Sequence, residues 1–110
     1  MEIIRMGEVA PVITSRGARA RRLIDKPDVQ VVNLSLEPGQ VVEKHLTPVD
    51  VFFYVVEGTG SIEIGDETGE VRAGDIVLSP AKIPHGLRAA KDSAFSVLVV
   101  KTPNPSKNAS

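Results

Sequence analysis

His45 and His85 are the only two imidazoles in a chain that has no cysteine. Imidazole changes charge nearest neutral pH and is the commonest nitrogen donor to transition metals, so these two residues carry most of the chemistry on offer. His45 opens the stretch HLTPVDVFFYVVEGTG, the most apolar run of the chain, and His85 follows the proline-bounded segment PAKIP. Thr47 shares a side with His45 on an extended chain, and Val51 stands where a second polar group would be expected. Two neutral imidazoles hold a divalent ion poorly, because zinc usually takes at least three protein ligands and iron oxygenase sites take two histidines and a carboxylate. Strand alternation puts Glu43 on the face of His45, about 7 Å back along the chain, which makes it the candidate third ligand. Asp50 lies beside Val51 but turns away by the same alternation, unless a bulge after Pro48 re-aims it. The competing reading is a metal-free pocket, whose histidines hydrogen-bond to Thr47, to a backbone carbonyl or to trapped water.

The elements that must position these residues are strands. Apolar residues recur with period two in short runs, broken by Gly, Pro and Asp/Asn signals roughly every 8 to 12 residues, the pattern of a sandwich or barrel. After a loose N-terminal segment, ARARRLID reads as a strand, and VQVVNLSL follows with Val32, Leu34 and Leu36 on one face and Asn33 and Ser35 on the other. Glu37-Pro38-Gly39 is a turn, and the next strand runs from Val41 to Thr47 with Val41, Glu43, His45 and Thr47 on one face. VFFYVV, residues 51–56, is β-branched and aromatic and is expected to be buried on both faces. Glu57-Gly58-Thr59-Gly60 then turns the chain, SIEIG pairs with GEVRAG across Asp66-Glu67-Thr68, and Pro80 ends DIVLS. HGLRAA and FSVLVVK complete the set, and the tail from residue 103 is expected to fray. The chain thus reads as one domain over residues 1–102.

Two glycine-led units stand out in this frame: Gly39 through His45 to Gly58, and Gly74 through Pro80 to His85. Their spacing resembles the two motifs of the cupin superfamily, and the resemblance spans about residues 30–101. It implies an all-β fold, a double-stranded β-helix or jelly-roll barrel of the RmlC-like type. In metal-binding cupins the ligands are two histidines and a glutamate of the first motif and the histidine of the second, all facing the barrel interior. By that correspondence His45 and His85 match ligand positions, while Thr47 replaces the second histidine and Val51 the glutamate. Lys82 replaces a glycine of the second motif, and Ala89 stands where its asparagine would be. The resemblance therefore leaves Fe, Mn, Ni or Zn on His45 and His85, or no metal at all, and strand alternation offers Glu43 to complete the set.

At 110 residues the chain can bury a core without metal or disulfide staples. A net charge of −1 gives no basic field of the kind that neutralises phosphates, so nucleic acid is not the expected partner. The sequence shows neither a signal segment nor a run of 18 apolar residues, which predicts a cytoplasmic protein with no membrane partner. Arg16, Arg19, Arg21, Arg22 and Lys26 cluster within eleven positions, as a local anion site or, by default, as the solvated face of a strand. Among the aromatics, Phe52, Phe53, Tyr54 and Phe95 are core residues by default or a ligand-pocket lining. An outward Phe52 and Tyr54 would make an apolar patch suited to a homodimer. The expected function is small-molecule binding in a cavity lined by His45, Thr47, Val51, Phe53 and His85. The alternatives are a metal-dependent oxygenase or isomerase and a non-catalytic interaction module.

Overall fold

The structure, a computed structural model, describes residues 1–107. Nine strands follow a single 3-10 turn at Met6–Glu8: β1 (Val12–Ile13), β2 (Arg19–Lys26), β3 (Val29–Leu36), β4 (Val41–His45), β5 (Asp50–Ile64), β6 (Glu67–Arg72), β7 (Ile76–Ser79), β8 (His85–Ala89) and β9 (Phe95–Thr102). Every pairing is antiparallel, and the strands form two sheets that share β5. One sheet runs β1-β2-β3-β9-β5-β7 and the other β4-β8-β5-β6. The fold is all-β, as the short alternating runs predict, and it is the jelly-roll barrel that the cupin resemblance implies.

β5 shows how the barrel closes. Its first half pairs with β7 and β9, its second half with β6 and β8, so one strand passes from the first sheet into the second. The residues expected to reverse the chain, Glu57 to Gly60, instead bend it. A bulge falls between Val55 and Glu57, and Gly58 takes φ +84 just beyond it. A Cβ on Gly58 would collide with the carbonyl of Ala94, and one on Gly60 with the carbonyl of Arg88 and the Phe95 ring. Glycine is needed at these positions for close backbone approach at a barrel corner rather than for a turn. The true reversal comes later, at Gly65-Asp66, because Ile64 opposes Glu67 in register. That two-residue tip replaces the three-residue tip expected at Asp66-Glu67-Thr68.

Alternation along β5 decides what is inside. Val51, Phe53 and Val55 are 4%, 1% and 0% exposed and join Leu36, Val42, Ile62, Leu87, Phe95 and Val97 in the core. Truncating a side chain such as Phe53 to alanine in such a setting costs about 3–5 kcal/mol. The other face is not buried as expected: Phe52 and Val56 are half-buried and Tyr54 is exposed, since no second layer among the described residues covers that side.

The N-terminal segment and Asn104 are better anchored than the sequence suggests. β1 pairs with β2, and Arg21 Nε donates to the Val9 carbonyl at 2.9 Å, so the N-terminal segment is fixed to the barrel edge. Asn104, expected to lie in a frayed tail, is fully buried. Its amide donates to Asp25 Oδ1 at 2.6 Å, and its backbone N–H donates to the Pro27 carbonyl at 3.0 Å. Of the tail, residues 108–110 lie outside the described residues. No helix among the described residues is long and apolar enough to cross a membrane.

Candidate functional site

A cavity of about 480 Å³ opens inside the barrel, within the size range of small-molecule pockets. Its apolar wall comes from inward positions of several strands, including Val32, Leu34, Val42, Phe53, Leu87 and Val99. His45 and His85 face it from β4 and β8, where they are directly opposed in register. Their rings meet edge to face with centroids 4.7 Å apart, and Phe53 packs edge to face against His85 at 5.1 Å.

The way His45 reaches this cavity corrects one expectation. A bulge in β4 between Val42 and His45 breaks the alternation, so Val42 and His45, three residues apart, both line the cavity. Glu43 consequently does not share the face of His45. Its side chain is exposed, and it is the Glu43 backbone carbonyl that lies 3.3 Å from His45 Nδ1. Glu43 is therefore not placed as a third ligand. Asp50 is also committed elsewhere: its Oδ1 accepts the Ala81 N–H at 2.9 Å and pins the turn that leads to His85. In that turn Lys82 donates its backbone N–H to the Thr47 carbonyl at 2.9 Å and takes φ 67, a left-handed conformation that costs a non-glycine residue about 1–2 kcal/mol. The left-handed conformation that suits glycine is thus kept at this position without the glycine.

His85 is 2% exposed and hydrogen-bonded on both sides. Ser79 Oγ lies 2.9 Å from its Nδ1 and Thr47 Oγ1 lies 3.3 Å from its Nε2. A neutral ring donates through one nitrogen and accepts through the other, and each hydroxyl can take the complementary part. Burial is the main reason the ring resists protonation, with the charges of His45, Lys101 and Arg16 acting in the same direction, and together they push its pKa down to about 4. His45 is shifted down as well, by burial first, although its bond to the Glu43 carbonyl works the other way. Both imidazoles are neutral at pH 7.

Of the residues expected to line the pocket, His45, Phe53 and His85 do so. Thr47 stands behind His85 and orients it, and Val51 is ordinary core. Phe95 packs in the core, while Phe52 and Tyr54 face outward, so Phe53 alone of the four aromatics reaches the cavity. The sequence reading missed Ser79, Gln30 and Lys101 of the site, and its default put Arg16 and Arg22, which line the cavity wall with Lys101, on a solvated strand face. The basic run is in fact split. Arg16 and Arg22 face the cavity, whereas Arg21 points to the other side of its sheet, where it bonds Asn33 and Ser35.

The donor set does not fit the metal that the fold family implies. Of the two imidazoles, His85 has both ring nitrogens engaged by hydroxyls, and no carboxylate lines the cavity among the described residues. Nor do the described residues hold any group of three or more His, Asp or Glu side chains able to share an ion. Zinc and iron sites both need more than this.

Comparison with known proteins agrees with the fold. Residues 32–101 match the family model described as Cupin domain. The chain is 28% identical over 99 residues to the oxalate decarboxylase OxdC of Bacillus subtilis, an alignment that takes in 86% of this chain and 26% of that protein. The chain thus spans about a quarter of that enzyme. An uncharacterized protein of Methanocaldococcus jannaschii is 28% identical over 112 residues, covering 94% of this chain and 89% of its own length. Among solved structures, the polyketide cyclase RemF of Streptomyces resistomycificus superimposes with a TM-score of 0.83 at 24% identity, over 93% of this chain and 79% of that one.

Proposed function

Because the chain belongs to the cupin family, we propose that it binds a small organic molecule in its barrel cavity, with its own side chains rather than a metal making the contacts. The observation that carries this reading is the cavity of about 480 Å³ faced by two neutral, edge-to-face imidazoles, one of them fixed by Ser79 and Thr47. A largely apolar wall with a few polar groups of defined orientation suits a small ligand. His45 offers Nε2 as an acceptor when Nδ1–H donates to the Glu43 carbonyl. It is the member of the pair best placed to accept a ligand proton or to act as a general base. His85, held on both sides, acts as a positioning residue for His45 and Phe53.

A fragment screen by NMR tests the proposal. Binders should shift Phe53, Leu87 and His45 resonances together, and His45→Ala should weaken them. A library that shifts none of these resonances at millimolar concentration contradicts it. The identity to oxalate decarboxylase favours a second reading, a metal-dependent enzyme such as an oxygenase or isomerase acting on a small organic acid, and the donor set speaks against it.

We also propose that the protein works as a homodimer. On the outer face of the first sheet, Phe52 opposes Leu78 and Tyr54 opposes Ile76 in register, with Leu78 and Ile76 74% and 61% exposed. A contiguous apolar strip of this kind on a small domain is suited to pairing with a second copy of itself.

A further inference from the structure

We infer that the cavity ligand is an organic anion, its oxyanion held by Lys101 with Arg16 and its apolar body lying against Val42, Leu87 and Val99. This deepens the pocket reading and rests on it. The cavity wall among the described residues carries three cations, Arg16, Arg22 and Lys101, and no carboxylate. Lys101 stands on the inward face of β9, half-buried, opposite Gln30 and Val51 in the flanking strands. Neither it nor Arg16 has an acidic partner within ion-pair distance among the described residues.

Arg22 does approach an acid, Asp25, at 3.8 Å, but from a largely exposed position. Asp25 is in turn occupied by Asn104, Gln30 and Lys107, so its charge is not free to serve Lys101. A half-buried ammonium beside two guanidinium groups loses solvation and gains repulsion, and no acid among the described residues forms an ion pair with it. The low pKa direction of Lys101, set by burial and then by Arg16 and Arg22, reflects that same surplus of positive charge.

The two histidines are neutral and add no charge, so the positive charge of the wall comes from Arg16, Arg22 and Lys101, and most of the remaining lining is apolar. Such a wall suits a ligand with one anionic end and one apolar end. Arg16, at the exposed rim, would draw an anion inward, and Lys101 would hold it as a point charge. A carboxylate and a phosphate ester share this chemistry.

Binding of 1-naphthoate and of its neutral analogue 1-naphthamide to the full chain, followed by calorimetry and by NMR of Phe53 and Leu87, separates the possibilities. The carboxylate should bind about tenfold tighter than the amide or better, since only the carboxylate adds charge–charge attraction to the cationic donors of the wall. Added sodium chloride should weaken the carboxylate alone. Lys101→Met and, independently, Arg16→Gln in an exposed loop should each reduce the carboxylate-to-amide ratio. Arg19→Gln, outside the cavity, should leave the ratio intact. 1-Naphthyl phosphate and inorganic phosphate assign the headgroup: a preference for either naphthyl anion over its neutral analogue supports the inference. Equal affinities for naphthoate, naphthyl phosphate and naphthamide, or a ratio unchanged in both cavity variants, overturn the anion inference and leave the pocket reading standing. Failure of all the naphthyl probes to shift Phe53 or Leu87 overturns both.

Discussion

Acidification from pH 7 to pH 4.5 should destabilise this protein chiefly through one ring. His85 has a folded-state pKa of about 4 against an ordinary value of 6.5, because it is buried and faces other positive groups. The unfolded chain therefore takes up the proton first. The contribution to stability is fully present above pH 6.5 and is lost progressively as pH falls from 6.5 towards 4. A gap of about 2.5 units at about 1.4 kcal/mol each corresponds to roughly 3 kcal/mol, of which about 2 kcal/mol is lost by pH 4.5. Urea unfolding followed by far-ultraviolet circular dichroism at several pH values measures the total. His45, also shifted downward, adds to the slope in the same direction. His85→Gln isolates the ring, because an amide can still meet the Ser79 and Thr47 hydroxyls but does not titrate in this range. The variant's stability should fall less steeply between pH 6.5 and 4.5 than the wild type's, by about 2 kcal/mol across that window. Parallel curves for the two proteins, or an imidazole resonance of His85 that titrates near 6.5, would refute the assignment.

Two further outcomes follow from local geometry. Lys82→Gly should stabilise the protein by about 1 kcal/mol, as relief of the left-handed conformation at φ 67 exceeds the added freedom of the unfolded chain, and thermal unfolding should register a higher midpoint. Leu78→Asp, placed in the exposed apolar strip, should yield a monomer by light scattering while the circular dichroism spectrum is unchanged. A dimer of undiminished affinity in that variant would remove this face as the interface.

Much of the barrel was legible because period-two alternation and turn residues are local signals. β3 falls on VQVVNLSL, and β8 and β9 fall where HGLRAA and FSVLVVK place them. What escaped depends on partners remote in sequence. The β4 bulge is fixed by pairing with β8, and nothing within Val41 to Thr47 announces it, so Glu43 was put on the wrong face. Gly58 and Gly60 read as a turn because a barrel corner uses the same residue for a different reason, the proximity of Ala94 and Phe95. Asn104 looked like tail because its partners, Asp25 and Pro27, lie in the β2–β3 hairpin. Some of the cavity wall did have a signal. Continuing the alternation of Phe95, Val97 and Val99 by two residues puts Lys101 on the inward face, and Ala18 and Ala20 mark the inward side of β2 with Arg22 next in step. Ser79 had none, since its role appears only once β7 is folded beside His85.

The proposed function has side chains of the cavity, and not a metal, meet the ligand. The most direct measurement is the metal content of protein purified without a histidine tag, joined to thermal unfolding with added Fe, Mn, Ni and Zn. The expected result is far less than one equivalent of metal per chain and an unfolding midpoint that none of the four ions raises. Near-stoichiometric metal that disappears in the His45→Ala, His85→Ala double variant would contradict it.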